Sequence, residues 1–230
     1  MKNAFGLAVL LLGMLFINPG FAQTGEELYE ESQKYMRKHD YFPALEILEK
    51  AALQEHADSL FLLGIMHKYG MGVLEDEIKA QTLFKKAEQQ YLKAVAKGDI
   101  DAQYTLALMY REGFGVMESE VIANQLLEKV IQTYEQDAAQ GDAKAQFLLG
   151  GIYEAGNGVP RDCIRARWLY EKAAAQDTTY TPEAQLALGI LYSSFSVCDL
   201  KDHTKARYYF HRACSDGLQD ACDMLGMLAR

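Results

Sequence analysis

The sequence predicts an all-α protein made of stacked antiparallel helix pairs, exported behind a cleavable leader. Three observations lead there: an apolar N-terminal run that ends at a small residue, a block of about 40 residues that recurs down the chain, and helix-face apolar spacing inside each block.

The leader comes first. Lys2 supplies a charged start, Ala4 to Ile17 is almost wholly apolar, and Asn18-Pro19-Gly20 breaks the run before Gly20-Phe21-Ala22. Those are the three regions of a secretory signal peptide. Its 14 apolar residues fall short of the roughly 20 that cross a bilayer as a helix. Cleavage is expected after Ala22, leaving a chain of 208 residues from Gln23. No cysteine stands near that point for lipid attachment, and no later segment approaches membrane-spanning length. The expectation is a periplasmic or secreted protein with no membrane insertion after cleavage. Loss of Lys2 moves the formal net charge from -9 to -10. Such a balance repels nucleic-acid phosphates and anionic lipid, so neither is expected as a partner.

Residues 23–56 follow as a helical hairpin. Asp40-Tyr-Phe-Pro-Ala-Leu-Glu-Ile-Leu-Glu-Lys-Ala51 resembles the second helix of a tetratricopeptide unit, with Pro43 acceptable in a first helical turn. A hairpin of that kind is expected to cap the N-terminal end of a solenoid.

From residue 57 to 230 one pattern recurs. Ala102-Gln-Tyr-Thr-Leu-Ala-Leu-Met-Tyr110 leads into Gly113-Phe-Gly115-Val116, and Ala145-Gln-Phe-Leu-Leu-Gly150-Gly-Ile-Tyr153 leads into Gly156-Asn-Gly158-Val159. An earlier copy starts at Ser59 and runs through Gly64 and His67 to Gly70-Met-Gly72-Val73. A later one starts at Ala184, but its glycine turn has become Ser194-Phe195-Ser196-Val197. A last half-copy starts at Ala221. The starts at 59, 102, 145, 184 and 221 give periods of 43, 43, 39 and 37 residues, enough for two helices and their turns. Small and apolar residues at offsets 0, 4, 5 and 8 lie on one helical face. The glycines then stop the first helix, because glycine tolerates the left-handed cap conformation. A second helix follows at Lys79-Ala80, Arg165-Ala166 or Lys205-Ala206, each with a large residue three or four positions on.

These residues resemble the Sel-1-like repeat family. The resemblance implies antiparallel helix pairs stacked into a right-handed αα solenoid, similar to tetratricopeptide proteins but with longer turns, of about four repeats and a terminal half-repeat. Two features depart from the family unit. The first two copies carry seven further residues in the second helix, around Gln89 to Ala96 and Gln132 to Ala139. Seven residues are two turns, about 10 Å of extra helix, which keep the buried face on nearly the same side and should project as a ridge. In the fourth copy a cysteine arrives as the glycines leave.

The motifs of catalysis are missing. His-Glu-x-x-His, Gly-x-Ser-x-Gly, Ser-x-x-Lys and phosphate-binding glycine loops do not occur, and Gly-x-Gly-Val follows a helix rather than a strand. His67 replaces the repeat's tyrosine and His211 sits among aromatics, which makes both packing or surface residues. No catalytic residue, cofactor or metal site is expected. Cysteines 163, 198, 214 and 222 form an even set, which reads as disulfides in an exported chain. Cys214 and Cys222 flank a tight helix-to-helix turn and resemble the staple of the cysteine-rich secreted branch of the family. That likeness implies the alternative function, a cell-wall or beta-lactam-related hydrolase. Cys214 with Cys222 is the favoured pair, since the turn brings them close. Cys163 and Cys198 then pair by default, although neighbouring units stack roughly 10 Å apart, so the glycine-free turn must lean across.

Superposed on tetratricopeptide units, offsets 2, 6, 9 and 10 of each first helix face a concave groove. The expected partner-binding residues are Phe61, Lys68, Tyr104, Leu108, Arg111, Glu112, Phe147 and Glu154, an aromatic row edged by charge that suits a peptide or a helix. The predicted function is a monomeric protein-binding adaptor, with a purely structural spacer as a further reading.

Overall fold

The computed structural model describes residues 23–194 and 196–228, so the leader and its cleavage site lie outside the described residues, as do Phe195 and the last two positions. Among the described residues there are eleven α-helices and no strand. They pair as α1 (Gly25–Met36) with α2 (Tyr41–Leu53), α3 (Ala57–Tyr69) with α4 (Glu77–Val95), α5 (Ile100–Glu112) with α6 (Glu120–Ala139), α7 (Ala143–Ala155) with α8 (Cys163–Ala174), and α9 (Thr181–Tyr192) with α10 (His203–Ser215). The half-repeat is α11 (Gln219–Leu228). Each helix packs on the one before and the one after, which makes an αα solenoid. No described helix is long and apolar enough to cross a membrane.

The helix boundaries follow from local chemistry. Asp99 and Asp142 cap α5 and α7 by accepting from backbone N–H groups, and Asp76, Ser119, Asp162 and Asp202 do the same for the second helices. At the other end of α5 the chain reverses through Gly113 and Gly115 at φ 70° and 71°, where a side chain would be strained. The fourth unit ends instead at Ser193, in extended backbone. Its second helix is still anchored as in the third unit, because Asp202 N donates to Tyr192 O at 2.9 Å where Asp162 N donates to Tyr153 O at 2.9 Å. The decayed turn has lost its helix stop and kept its anchor.

The glycine at offset 5 is a packing residue. A Cβ on Gly64 would fall 2.4 Å from Phe84, one on Gly150 2.6 Å from Tyr170, and one on Gly189 2.4 Å from Phe210. Where the second helix offers Leu127 in place of an aromatic ring, offset 5 is Ala107, and both are fully buried in one cluster. Ring and glycine thus trade volume across the helix pair.

The longer second helices are present: α4 has 19 residues and α6 has 20, against 12 for α8 and 13 for α10. They do not stand clear as a free ridge. Tyr91 and Tyr134, inside the added turns, are 2% and 4% exposed and reach inward to the start of their own first helices.

Two further contacts fix the ends. The turn after α1 meets the C-terminal units: Arg37 Nη2 lies 2.7 Å from Glu183 and donates to Thr179 O at 2.9 Å, while Arg37 O accepts from Gln219 N at 2.8 Å. His39 Nε2 lies 2.9 Å from Asp220. The four cysteines meet as two pairs at disulfide distance, Cys163 with Cys198 (Cα–Cα 5.8 Å) and Cys214 with Cys222 (Cα–Cα 4.8 Å). Cys163 opens α8 and Cys198 lies buried in the glycine-free turn.

Candidate functional site

The three aromatic residues expected to line the groove rest on rings of their own hairpins, and Phe61 and Phe147 also on a ring of the next unit. Phe61 packs on Phe84 at 5.5 Å, Tyr91 at 6.4 Å and Phe114 of the next turn at 5.8 Å. Tyr104 packs on Tyr134 at 6.0 Å, and Phe147 on Tyr170 and Tyr180, both at 6.0 Å. All three are half-buried, so each offers one side outward and uses the other to hold the hairpin together.

The charged edge divides into engaged and available groups. Lys68 Nζ stands 4.8 Å from the centre of the Phe114 ring, a cation–π contact. Glu154 accepts from the Tyr170 hydroxyl at 2.8 Å, a bond that holds the buried ring in place. Leu108 is half-buried and Glu112 is exposed. Arg111 is half-buried and its Nη1 is buried without a hydrogen-bond acceptor in the described chain. It borders a cleft of about 440 Å³ between the second and third repeats, lined also by Glu120, Asn124, Asn157 and Pro160.

A second line of polar groups, one residue before each repeat start, was not found from the sequence. Asp58 accepts from the Tyr91 hydroxyl at 2.6 Å and Asp101 from the Tyr134 hydroxyl at 2.8 Å, the partners 33 positions apart in both cases. In the third repeat the same position is Lys144, which closes on Asp101. Burial first, then the Asp101 charge, pushes the Tyr134 hydroxyl far above its ordinary value. Burial also raises the Asp58 carboxyl, against the lowering effect of the Tyr91 bond. Burial alone would lower Lys144, but its hydrogen bond and charge contact with Asp101 carry it above the usual lysine value. The signal was present: Asp58 and Asp101 share a register, and Tyr91 and Tyr134 share a place in the two seven-residue additions.

A third ladder lies where the repeat's tyrosine meets the preceding second helix. Tyr110 donates to Glu88 at 3.3 Å, Tyr153 to Glu135 at 2.7 Å and Tyr192 to Glu171 at 3.3 Å. Arg165 and Lys205 cover the Tyr153 and Tyr192 rings at 4.2 and 4.9 Å. Burial, followed by the Glu135 bond, lifts Tyr153 to about 12. His67 takes this position in the first repeat and is buried. Among the described residues no group of three or more His, Cys, Asp or Glu side chains could hold a metal ion.

A family model described as Sel1 repeat matches residues 22–56, 57–99, 100–130, 143–178 and 182–218, the first match taking in the α1–α2 hairpin. No curated protein matches the chain. Among solved structures, a protective antigen of uropathogenic Escherichia coli with an SLR fold is 24% identical, with a TM-score of 0.41 over 89% of this chain and 48% of the antigen. This chain therefore spans about half of that protein's length. A Sel1 repeat protein from Oxalobacter formigenes is 23% identical, with a TM-score of 0.42 over 90% of this chain and 77% of its own. An immunity protein of Pseudomonas aeruginosa is 17% identical, with a TM-score of 0.40 over 83% and 81%.

Proposed function

Because the chain belongs to the Sel1 repeat family, we propose that it is an exported interaction scaffold, one that holds a protein or peptide partner on the inner face of its solenoid and carries out no reaction of its own. Sel1 repeats commonly serve as protein-interaction scaffolds. The observation that carries the choice of face is Arg111: a buried guanidinium nitrogen without an acceptor is costly in isolation, and an incoming carbonyl or carboxylate would satisfy it. Around it, Tyr104, Leu108 and Glu112 offer half-buried and exposed surface held in place by the Tyr134 ring behind. Such a surface is formed before its partner arrives, which spares the ordering cost of binding. The paired cysteines suit the oxidising compartment to which the leader would deliver the chain.

The test is capture of partners from the native envelope on immobilised protein, comparing the wild type with Arg111→Ala and Glu112→Lys. Glu154 is left intact because it supports Tyr170. Lys129→Ala, an exposed position of α6 that does not line the Arg111 cleft, is the control. The expected result is loss of the captured protein with both variants, little change in melting temperature, and full capture by the control. Capture that survives both substitutions would remove the inner face from consideration.

A further inference from the structure

Every second helix from α2 to α8 opens with a large apolar side chain turned to solvent. Phe42, Ile78, Val121 and Ile164 each stand two residues after the helix N-cap, and their exposures run from 55% to 82%. Two residues before the cap, Leu74 and Met117 are 90% and 88% exposed. Equal register in successive repeats puts these six side chains in one row along the turn edge of the solenoid. The turns close the gaps between units: a Cβ on Gly72 would fall 2.6 Å from Tyr41, beside Phe42, and Gly115 N donates to Gln81 of α4 at 3.1 Å. None of the six belongs to a core cluster. Burial therefore does not explain an apolar residue at this place in four successive hairpins, α10 having Thr204 there, and exposed apolar surface lined up in this way marks an interaction site.

The charges beside the row decide what can cover it. Around its four central members, residues 74–79 and 117–122 carry Glu75, Asp76, Glu77, Glu118 and Glu120 against Lys79 alone, whereas Arg161 and Arg165 flank Ile164 at the far end, so the acidic rim belongs to the stretch from Leu74 to Val121. A second copy of the same edge would bring acid against acid, and an anionic lipid surface would meet the same repulsion. A helix with apolar residues along one face and lysine or arginine at its margins satisfies both the row and its rim.

We propose that this turn edge is a docking surface for a basic amphipathic helix of a partner protein. It rests on the exposed row and its acidic rim, of which only Glu120 also lines the Arg111 cleft.

The test titrates the purified protein into a fluorescently labelled synthetic peptide of leucine and lysine, with its leucines on one helical face, and reads anisotropy. A peptide of the same composition in scrambled order is the charge control. The variant Leu74→Ser/Ile78→Ser/Met117→Ser/Val121→Ser alters only exposed side chains, and Leu53→Ser/Leu92→Ser removes exposed apolar residues elsewhere. Expected are saturable binding of the amphipathic peptide, at least tenfold weakening by the four-fold variant, little effect of the Leu53/Leu92 variant, and weakening by Glu75→Lys/Glu77→Lys, which leaves the Arg111 cleft untouched. No binding, equal binding of the scrambled peptide, or affinity unmoved by the row variant would overturn the proposal. So would loss, in that same variant, of binding to phosphatidylglycerol vesicles or of a self-associated state in sedimentation with peptide binding intact. Arg111→Ala should leave this titration unchanged, so failure here and failure of the inner-face reading are separately visible.

Discussion

Substituting Gly189 by alanine tests the volume exchange between first and second helices. An alanine in a helix interior is ordinarily more stable than glycine by about 0.8–1.0 kcal/mol. Here the new Cβ would sit 2.4 Å from Cδ1 of Phe210, a ring with no solvent exposure in which to retreat. Comfortable carbon contacts lie near 3.5–4.0 Å, so ring or helix must yield by about an ångström. Overpacking of that kind costs about 1–3 kcal/mol, and against the propensity gain the net loss is about 0–2 kcal/mol. For a chain of this length each kcal/mol lowers the melting temperature by about 2–4 °C. The chain supplies its own control in Ala107 and Leu127, the equivalent pair of the second repeat. Phe210→Leu alone is expected to cost about 1–1.5 kcal/mol, and Gly189→Ala added to it should cost nothing further. Urea unfolding of the four proteins gives the coupling, expected to equal the cost of Gly189→Ala alone, up to about 2 kcal/mol in favour of the double variant. Additive single effects, or a Gly189→Ala variant more stable than wild type, would show that the ring and the glycine do not compete for space.

Peptide mapping of unreduced protein from its native compartment should yield Cys163 linked to Cys198 and Cys214 linked to Cys222; a Cys163–Cys214 peptide or four free thiols would refute that pattern. With Cys222→Ser, which removes the bond tying α11 to α10, α11 should become the first site of proteolysis. Tyr134→Phe removes the hydroxyl bonded to Asp101 and should cost about 1–2 kcal/mol in urea unfolding, with no change expected only if that bond contributes nothing. His67 is buried beside Lys79, and burial holds its imidazole below the ordinary 6.5. The folded chain then binds fewer protons there than the unfolded chain, so this contribution is complete above pH 6.5 and is lost as pH falls below it. His67→Tyr, which restores the residue of the other repeats, should flatten the stability profile from about pH 6.5 downward; an unaltered profile would clear His67 of the effect. Nitrocefin should not be turned over by the oxidised protein, and saturable hydrolysis would favour the hydrolase reading.

The repeat register made the fold legible, because glycine stops, N-caps and apolar spacing are local and recur in the sequence. The added helical turns were also legible as turns, but not their purpose, since the bond between Tyr91 and Asp58 joins positions 33 apart that only the hairpin brings together. Offset arithmetic placed Phe61, Tyr104 and Phe147 on the inner side without showing that each spends half its surface on a ring behind it. For Glu154 it gave a charge and no hint of the tyrosine that holds it. The contact of Arg37 with Glu183 had no sequence signal, because nothing local records how tightly a solenoid curves.

That last contact changes how the molecule should respond to force and heat. A row of repeats coupled only to neighbours behaves as a one-dimensional lattice with free ends, which frays from its termini and tolerates loss of a terminal unit. Joining the turn after α1 to the starts of α9 and α11 imposes something close to a periodic boundary. The end units acquire neighbours across the ring, so each should melt with the whole instead of ahead of it. Folding then carries the loop-closure cost of a contact spanning 142 residues, made late, after the local hairpins have stacked.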